Sequence, residues 1–221
     1  MAEQISEFSL PLFPLGTVLF PGGLLPLQIF EVRYLDMINK CHRSSSPFGV
    51  VTLTRGTEVQ KPAQGDSPRE PFSNESFMPE GTLAVIDEFS SPQPGLLRIR
   101  CTGTTRFRLT NFDRLGTGLW FGSATPLPDD LEIEVPTDLR NVARALERLI
   151  DRLKAQNVPD DQMPIQAPYS LQDCAWVANR WCELIPMPLA QKNRLMALES
   201  PLLRLELVSD MLARGGMLDE G

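Results

Sequence analysis

The distribution of apolar and polar residues divides the chain into two regions with different periodicities. From Phe8 to about Thr125, short apolar runs alternate with turn residues, a pattern typical of β-strands. From about Asp138 to Arg214, apolar residues recur every three or four positions, as they do in amphipathic helices. A proline-rich connector, residues 126–136, separates the two regions. The sequence therefore predicts an α+β chain in which a strand-rich region precedes a helical one.

The most distinctive segment is the apolar run over residues 10–31, which proline interrupts every few residues. Proline has no backbone N–H and fixes φ, so neither a helix nor a central strand can run through this segment. We expect short strands joined by tight turns, with their apolar side chains pressed into a core. The segment carries no nucleophile, base or metal ligand, and its composition indicates a structural role.

One helix is predicted within the first region, beginning near Phe30 and fading by His42. Buried or half-buried strands are predicted over residues 48–54, 82–89 and 118–124. Residues 55–81 are rich in Gly, Pro, Ser and Glu and predict a long exposed loop. The apolar face of the predicted helix comprises Phe30, Tyr34, Met37, Ile38 and Cys41, and its polar face comprises Arg33, Asp36, Asn39 and Lys40.

Four arginines alternate with apolar residues over residues 96–109. If a three-residue turn centres on Thr104, the segment is a hairpin and all four arginines share one face. The alternative is a bulge at Gly103 within one bent strand. An arginine face would suit phosphate, carboxylate or an acidic peptide, whereas ion pairing with local acids is the competing interpretation. The arginines are Arg98, Arg100, Arg106 and Arg108, and the nearby acids are Glu80, Asp87 and Glu88.

The second region predicts a compact bundle of about four helices. Side-chain oxygens that can cap a helix precede three of the apolar-periodic segments, and prolines stand at the expected first positions. The predicted caps are Thr137 or Asp138, then Ser170, which opens a pattern resembling a capping box, and finally Ser200; a short helix begins at Pro188.

Charge and cysteine usage restrict the class of protein. The chain of 221 residues has 42% hydrophobic residues and a net charge of −7, which argues against wholesale nucleic-acid binding. No apolar stretch reaches membrane-spanning length, and the polar N-terminus does not resemble a signal peptide, so we expect a cytoplasmic protein. The four cysteines form no CxxC pair and are expected to be buried free thiols.

Candidate catalytic chemistry is sparse. The chain contains neither GxxxxGK[ST] nor GxGxxG, so no phosphate-binding loop is predicted. The single histidine, His42, lies at a predicted helix end beside Cys41, and neighbouring helical residues point in different directions. The lysines fall on predicted polar faces or loops. We therefore expect no enzymatic activity, no cofactor and no metal.

Three segments together resemble a known family. The first covers Leu10–Leu15, Val18–Gly22 and Leu25–Met37, and it resembles the Lon N-terminal, substrate-binding domain, particularly the stand-alone bacterial proteins built from that domain alone. The segment Gly95–Leu109, an apolar strand followed by glycine and Arg-Phe, resembles the second signature of the family. Leu184–Lys192, continuing into residues 195–205, resembles its C-terminal helices.

The resemblance implies a fold and a binding role. It implies a PUA-like β-barrel, here over residues 8–127, followed by a helical bundle over residues 137–216. In Lon proteases this domain recruits unfolded or tagged substrates to an attached ATPase and a Ser-Lys protease, neither of which we expect in this chain. The expected activity is therefore binding without catalysis.

The leading hypothesis is a non-catalytic module that recognises unfolded or partly exposed polypeptides, with an adaptor role beside a protease or chaperone. The alternative is an RNA-binding PUA-like protein that uses the arginine face, which the net charge opposes. For the aromatic candidates, core packing is the competing interpretation. The candidate contacts are the aromatic residues Phe13, Phe30 and Tyr34, with Glu31, Arg33 and Arg106 orienting polar groups.

Overall fold

A computed structural model describes residues 6–56, 75–159 and 162–218, which form two compact units. The first unit runs to Leu127 and also contains Met187–Ala197. The second contains Pro128–Pro186 and the described residues from Leu198 on. The chain is a mixed α+β protein with one six-stranded sheet and five α-helices in its described part.

The sheet belongs to the first unit and has the strand order β2-β5-β4-β3-β1-β6. Strand β1 pairs with β3 in parallel, and all other pairings are antiparallel. Because β6 pairs with both β1 and β5, five strands form a closed ring of hydrogen-bonded neighbours, and β2 lies beside β5. The strands are β1 (Phe8–Leu15), β2 (Leu24–Ile29), β3 (Phe48–Arg55), β4 (Ser76–Gln93), β5 (Leu96–Arg114) and β6 (Trp120–Pro126).

The proline-interrupted run forms β1, a turn and β2, as its composition predicts. The turn is held against β5 by two backbone hydrogen bonds, from Gly22 N to Gly103 O at 2.8 Å and from Gly103 N to Gly23 O at 2.9 Å. A Cβ atom on Gly103 would lie 2.2 Å from the carbonyl oxygen of Phe20, so only glycine fits there. The first two sequence signatures therefore meet in space at Gly103.

Strand β5 runs without a turn from Leu96 to Arg114, so the hairpin centred on Thr104 is wrong. The partners of Thr82 and Ala84 on β4 are Arg106 and Gly103, which leaves one extra residue on β5 at this point. This register shift is the bulge that was the alternative. Backbone pairing with β4 on one side, and with β2 and then β6 on the other, keeps the strand extended.

Both ends of the long loop predicted over residues 55–81 belong to strands in the structure. Arg55 ends β3, and residues 76–81 belong to β4, which begins six residues before the predicted strand. Residues 57–74 lie outside the described part of the chain. The sequence assigns residues 76–80 to the loop, but their backbone pairs with β3 and β5.

Helix α1 (Val32–Ser44) packs against the sheet through Tyr34, Met37, Ile38 and Cys41, as predicted. Two details of the prediction are wrong. Phe30 precedes the helix and is exposed, because Glu31 is the N-cap. Arg33, predicted on the polar face, is only 7% exposed.

A second helix of the first unit is α4 (Leu189–Ala197), which the sequence placed in the helical bundle. The Asn193 amide donates to the hydroxyl of Thr52 at 3.3 Å and to the carbonyl of Glu80 at 3.1 Å. The Arg106 guanidinium donates to the Met196 carbonyl at 3.0 Å. These buried contacts join α4 to the sheet, so the bundle of about four helices predicted for the second region does not include it.

The second unit contains a short 3₁₀ helix (Thr137–Leu139) followed by α2 (Arg140–Ala155), α3 (Cys174–Leu184) and α5 (Pro201–Arg214). Arg204, one of its buried arginines, donates to the Asp130 carboxylate at 2.7 and 2.9 Å and to the Asn179 amide oxygen at 2.9 Å. Ser200 caps α5 by accepting from Leu203 N, as predicted.

Two predicted caps differ from the structure. Ser170 does not cap α3, because the helix begins later and the Asp173 carboxylate accepts from the backbone of Ala175 and Trp176. No side-chain cap bond starts α2, which continues from the 3₁₀ turn instead.

All four cysteines are buried and free, as predicted: Cys41, Cys101, Cys174 and Cys182. Burial raises the pKa of Cys101 to about 12 and that of Cys174 to about 11. None of the helices in the described ranges is long and apolar enough to cross a membrane.

Candidate functional site

A buried polar cluster lies where α1 begins, and we call it the Arg33 cluster: Glu31, Arg33, Glu75, Gly118 and Trp120. The guanidinium of Arg33 contacts three oxygens. Its Nε donates to Glu31 Oε2 at 3.0 Å, one terminal nitrogen donates to the Gly118 carbonyl at 2.8 Å, and the other donates to Glu75 Oε1 at 3.1 Å. The second oxygen of Glu75 accepts from Trp120 Nε1 at 2.7 Å. Residues far apart in sequence are thus fixed around one cation.

The electrostatics of the cluster favour the charged arginine. Burial lowers the pKa of Arg33, but the hydrogen bond to Glu75 and the charges of Tyr34, Glu75 and Glu31 raise it, and the net direction is upward. Side-chain exposure is only 4% for Arg33 and 2% for Glu75, so this is a buried ion pair. Such a pair fixes geometry because neither partner can leave without exposing the other charge to a dry environment.

Four exposed apolar residues are next in sequence to a member of the Arg33 cluster or in contact with one, and we call them the apolar rim. Phe30 and Val32 lie on either side of Glu31, where α1 begins. Phe112 belongs to β5, and Leu115 belongs to the turn that follows it. The hydrogen bond from Arg33 to Gly118 joins these two chain segments. Single exposed apolar residues are ordinary, but a group of them beside a rigid polar anchor is typical of an interaction site. The rim comprises Phe30 (54% exposed), Val32 (72%), Phe112 (45%) and Leu115 (47%).

Aromatic contacts support the rim from beneath. The Phe112 ring lies 4.9 Å from that of Phe77 and 5.9 Å from that of Trp120, measured between centroids. The Arg114 guanidinium lies 5.4 Å from the Trp120 ring centroid, within the range of cation–π attraction. The exposed Phe112 ring is therefore held in place by its neighbours.

Two aromatic candidates from the sequence belong to the core. Phe13 and Tyr34 stack with centroids 4.0 Å apart, and their exposures are 6% and 2%. Neither ring can contact a partner from this position, and burial raises the pKa of Tyr34. Of the three aromatic candidates, only Phe30 reaches the surface.

The arginines of β5 do not form one exposed face. Arg106 is 2% exposed and bonds to the Met196 carbonyl of α4. Arg100 is ion-paired with Glu88, and Arg108 pairs with Glu80 at 3.1 Å. Arg106 is buried against α4, so the observation that motivated an RNA-binding face is lost, although Arg98 remains exposed.

Six residues of the site were missed in the sequence: Val32, Glu75, Phe112, Leu115, Gly118 and Trp120. Glu75 lies within the segment predicted as an exposed loop, Gly118 lies between β5 and β6, and Trp120 begins β6. No local pattern marks them, because each acts through contacts with residues at least 42 positions away, as the Arg33–Glu75 pair shows. Val32, Phe112 and Leu115 were missed because apolar residues are expected in the core, and only the tertiary structure shows that these three are exposed.

The chemistry of the site suits binding. Among the described residues, no group of three or more His, Cys, Asp or Glu could hold a metal ion. His42 stacks on Phe89 with ring centroids 4.1 Å apart. What the Arg33 cluster offers is a rigid support for exposed apolar side chains.

Comparison with known proteins identifies the family of this chain. The family model for the ATP-dependent protease La (LON) substrate-binding domain matches residues 9–214. Comparison with curated protein sequences gives no significant match.

Two solved structures are similar over nearly their whole length. A Lon N-terminal domain protein from Xanthomonas campestris shares 28% identity with a TM-score of 0.67, covering 92% of this chain and 98% of its own. The N-terminal domain of Lon protease from Mycobacterium avium complex has 14% identity and a TM-score of 0.57, covering 96% and 99%, and shows a shared fold. The chain therefore belongs to the family of the ATP-dependent protease La (LON) substrate-binding domain.

Proposed function

We propose that this protein is a non-catalytic module that binds exposed segments of polypeptides through the apolar rim. The observation that carries the proposal is the set of four exposed apolar side chains around the Arg33 cluster. Family membership supports polypeptides as the partner, because the family is defined by substrate binding.

The apolar rim and the Arg33 cluster make different contributions to binding. The apolar rim supplies area: covering a side chain of the size of Phe or Val is worth roughly 1.5–3 kcal/mol when burial is complete. The Arg33 cluster supplies rigidity, because its three hydrogen bonds fix the start of α1 against the turn after β5. A preorganised surface loses less entropy on binding.

Three further parts of the hypothesis rest on family membership and remain proposals. We propose an adaptor role that presents bound polypeptides to a separate protease or chaperone, in the cytoplasm. We propose a division of labour between residues 8–127, a PUA-like β-barrel that carries the rim, and residues 137–216, a helical subdomain. The closed ring of strands supports the barrel.

The test is binding of fluorescent casein-derived peptides, followed by anisotropy. Replacing Phe30 and Val32 together by serine should weaken binding on the order of 10-fold, because apolar burial is lost at the rim. Val85→Ser is the matched control, since Val85 is 40% exposed on β4 and outside the rim. If no peptide in the library binds saturably to the unaltered protein, the proposal is wrong.

A further inference from the structure

The second unit contains a pocket of about 980 Å³, at the upper end of the range usual for ligand sites. Three chain segments form its walls: the extended residues 132–135, helix α2, and residues 169–173. The first and third walls are joined by backbone hydrogen bonds, from Val135 N to Gln172 O at 2.8 Å and from Cys174 N to Ile133 O at 2.9 Å. The pocket thus lies on a hydrogen-bonded frame.

Two of these walls carry rows of opposite charge. Arg140 and Arg144 stand one turn apart on α2, and Glu132 and Glu134 are alternate residues of the extended segment. All four side chains belong to exposed residues. Among the residues that the structure describes, no ion pair within 4.0 Å involves any of the four. The two rows line one pocket, and no ion pair joins these four described residues.

The spacing within each row matches an extended chain. Residues one turn apart on a helix have Cβ atoms about 5–6 Å apart. Alternate residues of a strand lie about 6.6–6.8 Å apart and point to the same side. A peptide strand between the rows would send its odd-numbered side chains to one row and its even-numbered side chains to the other.

The remaining charged residues give the lining of the pocket a net negative charge. Glu147 and Asp173 also line it, so the lining has four carboxylates and two guanidiniums. A ligand with an excess of basic groups is therefore favoured. Tyr169 completes the wall, and its ring is held by Lys154 at 4.3 Å from the centroid and by the edge of Trp176 at 6.2 Å. It offers an apolar surface to the stem of a lysine side chain.

We propose that this pocket binds an extended polypeptide segment in which basic and acidic side chains alternate. Acidic side chains of the segment bind the row of Arg140 and Arg144, and basic side chains bind the row of Glu132 and Glu134. The site lies wholly in the second unit and does not depend on the apolar rim or on the function proposed for it.

The experiment measures anisotropy of labelled Lys-Glu-Lys-Glu-Lys-Glu-Lys and of a peptide of the same composition in blocks, Lys-Lys-Lys-Lys-Glu-Glu-Glu. The alternating peptide should bind more tightly. Exchanging both arginines (Arg140→Glu with Arg144→Glu) should weaken its binding on the order of 10-fold, since two ion pairs become repulsive. The matched control, Arg148→Glu with Arg214→Glu, changes net charge equally outside the pocket and should bind normally.

A four-residue exchange separates lost contacts from lost folding. Adding Glu132→Lys and Glu134→Lys to the two arginine exchanges swaps the signs of the rows, and binding of the alternating peptide should return. Equal affinity for the block peptide, equal loss in the control, or no recovery in the fourfold variant would each overturn the proposal. Phe30→Ser with Val32→Ser should leave this binding unchanged, so the two proposals fail separately.

Discussion

Three of the buried arginines, Arg33, Arg106 and Arg204, bind oxygen atoms from distant parts of the chain. Arg33 contacts Glu31, Glu75 and the Gly118 carbonyl, Arg106 contacts the Met196 carbonyl, and Arg204 contacts Asp130 and Asn179. A planar guanidinium has five donors, so it can join several segments at once. Arg108, whose side chain is 56% exposed, pairs with Glu80, and such a surface ion pair contributes much less to stability.

At the residue scale, we predict that Glu75→Ala lowers the free energy of unfolding by about 3–5 kcal/mol, because it leaves the buried Arg33 charge without its carboxylate. Glu88→Ala, which removes the partner of Arg100 at a site where the glutamate side chain is 61% exposed, should cost less than about 1 kcal/mol. Urea denaturation of both variants measures the difference.

Glu75→Gln refines this test. The amide retains acceptor oxygen for Arg33 but not the charge, so its cost should fall between those of the unaltered protein and Glu75→Ala. Equal stability of Glu75→Ala and Glu88→Ala would show that the cluster does not anchor α1.

At the scale of elements, helix α3 begins where one carboxylate meets two free backbone N–H groups. Asp173 accepts from Ala175 N at 3.2 Å and from Trp176 N at 3.1 Å. The adjacent backbone of Cys174 is bonded to Ile133, which fixes the first residue of the helix. A cap motif that begins at Ser170 fits the sequence equally well, and the pairing with residues 133–135 decides between them.

The prediction for this element concerns the N-cap of α3. Asp173→Ala should destabilise the second unit by about 1 kcal/mol, the usual cost of losing an N-cap. Ser170→Ala should have no measurable effect, because α3 does not begin there. The midpoint of urea unfolding, followed by circular dichroism, reports both; a larger loss for Ser170→Ala would contradict the assignment of the cap.

At the scale of the whole molecule, the chain returns to its first unit after most of the second has been built. Helix α4 brings Asn193 to Thr52 and Glu80, residues 141 and 113 positions earlier. Buried Leu195 and Met196 accompany it. The first unit is therefore incomplete until residues near the C-terminal end have been added.

This topology predicts that Asn193→Ala destabilises the first unit by about 1–3 kcal/mol, because the buried Glu80 carbonyl loses its side-chain donor. Arg194→Ala, on the exposed side of the same helix, is the matched control and should be neutral. Hydrogen exchange of the amides of β3 and β4 localises the effect. Unchanged protection in Asn193→Ala would mean that α4 does not support the sheet.

The sequence by itself determined the two periodicities, the apolar face of α1, the burial of the cysteines and the family. These properties depend on local composition and spacing, which are present in the sequence without any tertiary contact. The proline-interrupted run is identifiable for the same reason, because φ and the missing N–H of proline are properties of single residues.

Only the tertiary structure decided which polar residues are buried. Arg33 sits on a face that helical periodicity assigns to solvent, and it is buried because Glu75 and Gly118 arrive from elsewhere in the chain. Arg106 and Asn193 are both buried because α4 returns to the sheet. A buried charge or amide requires a partner, and the partner is supplied by topology, which local spacing does not encode.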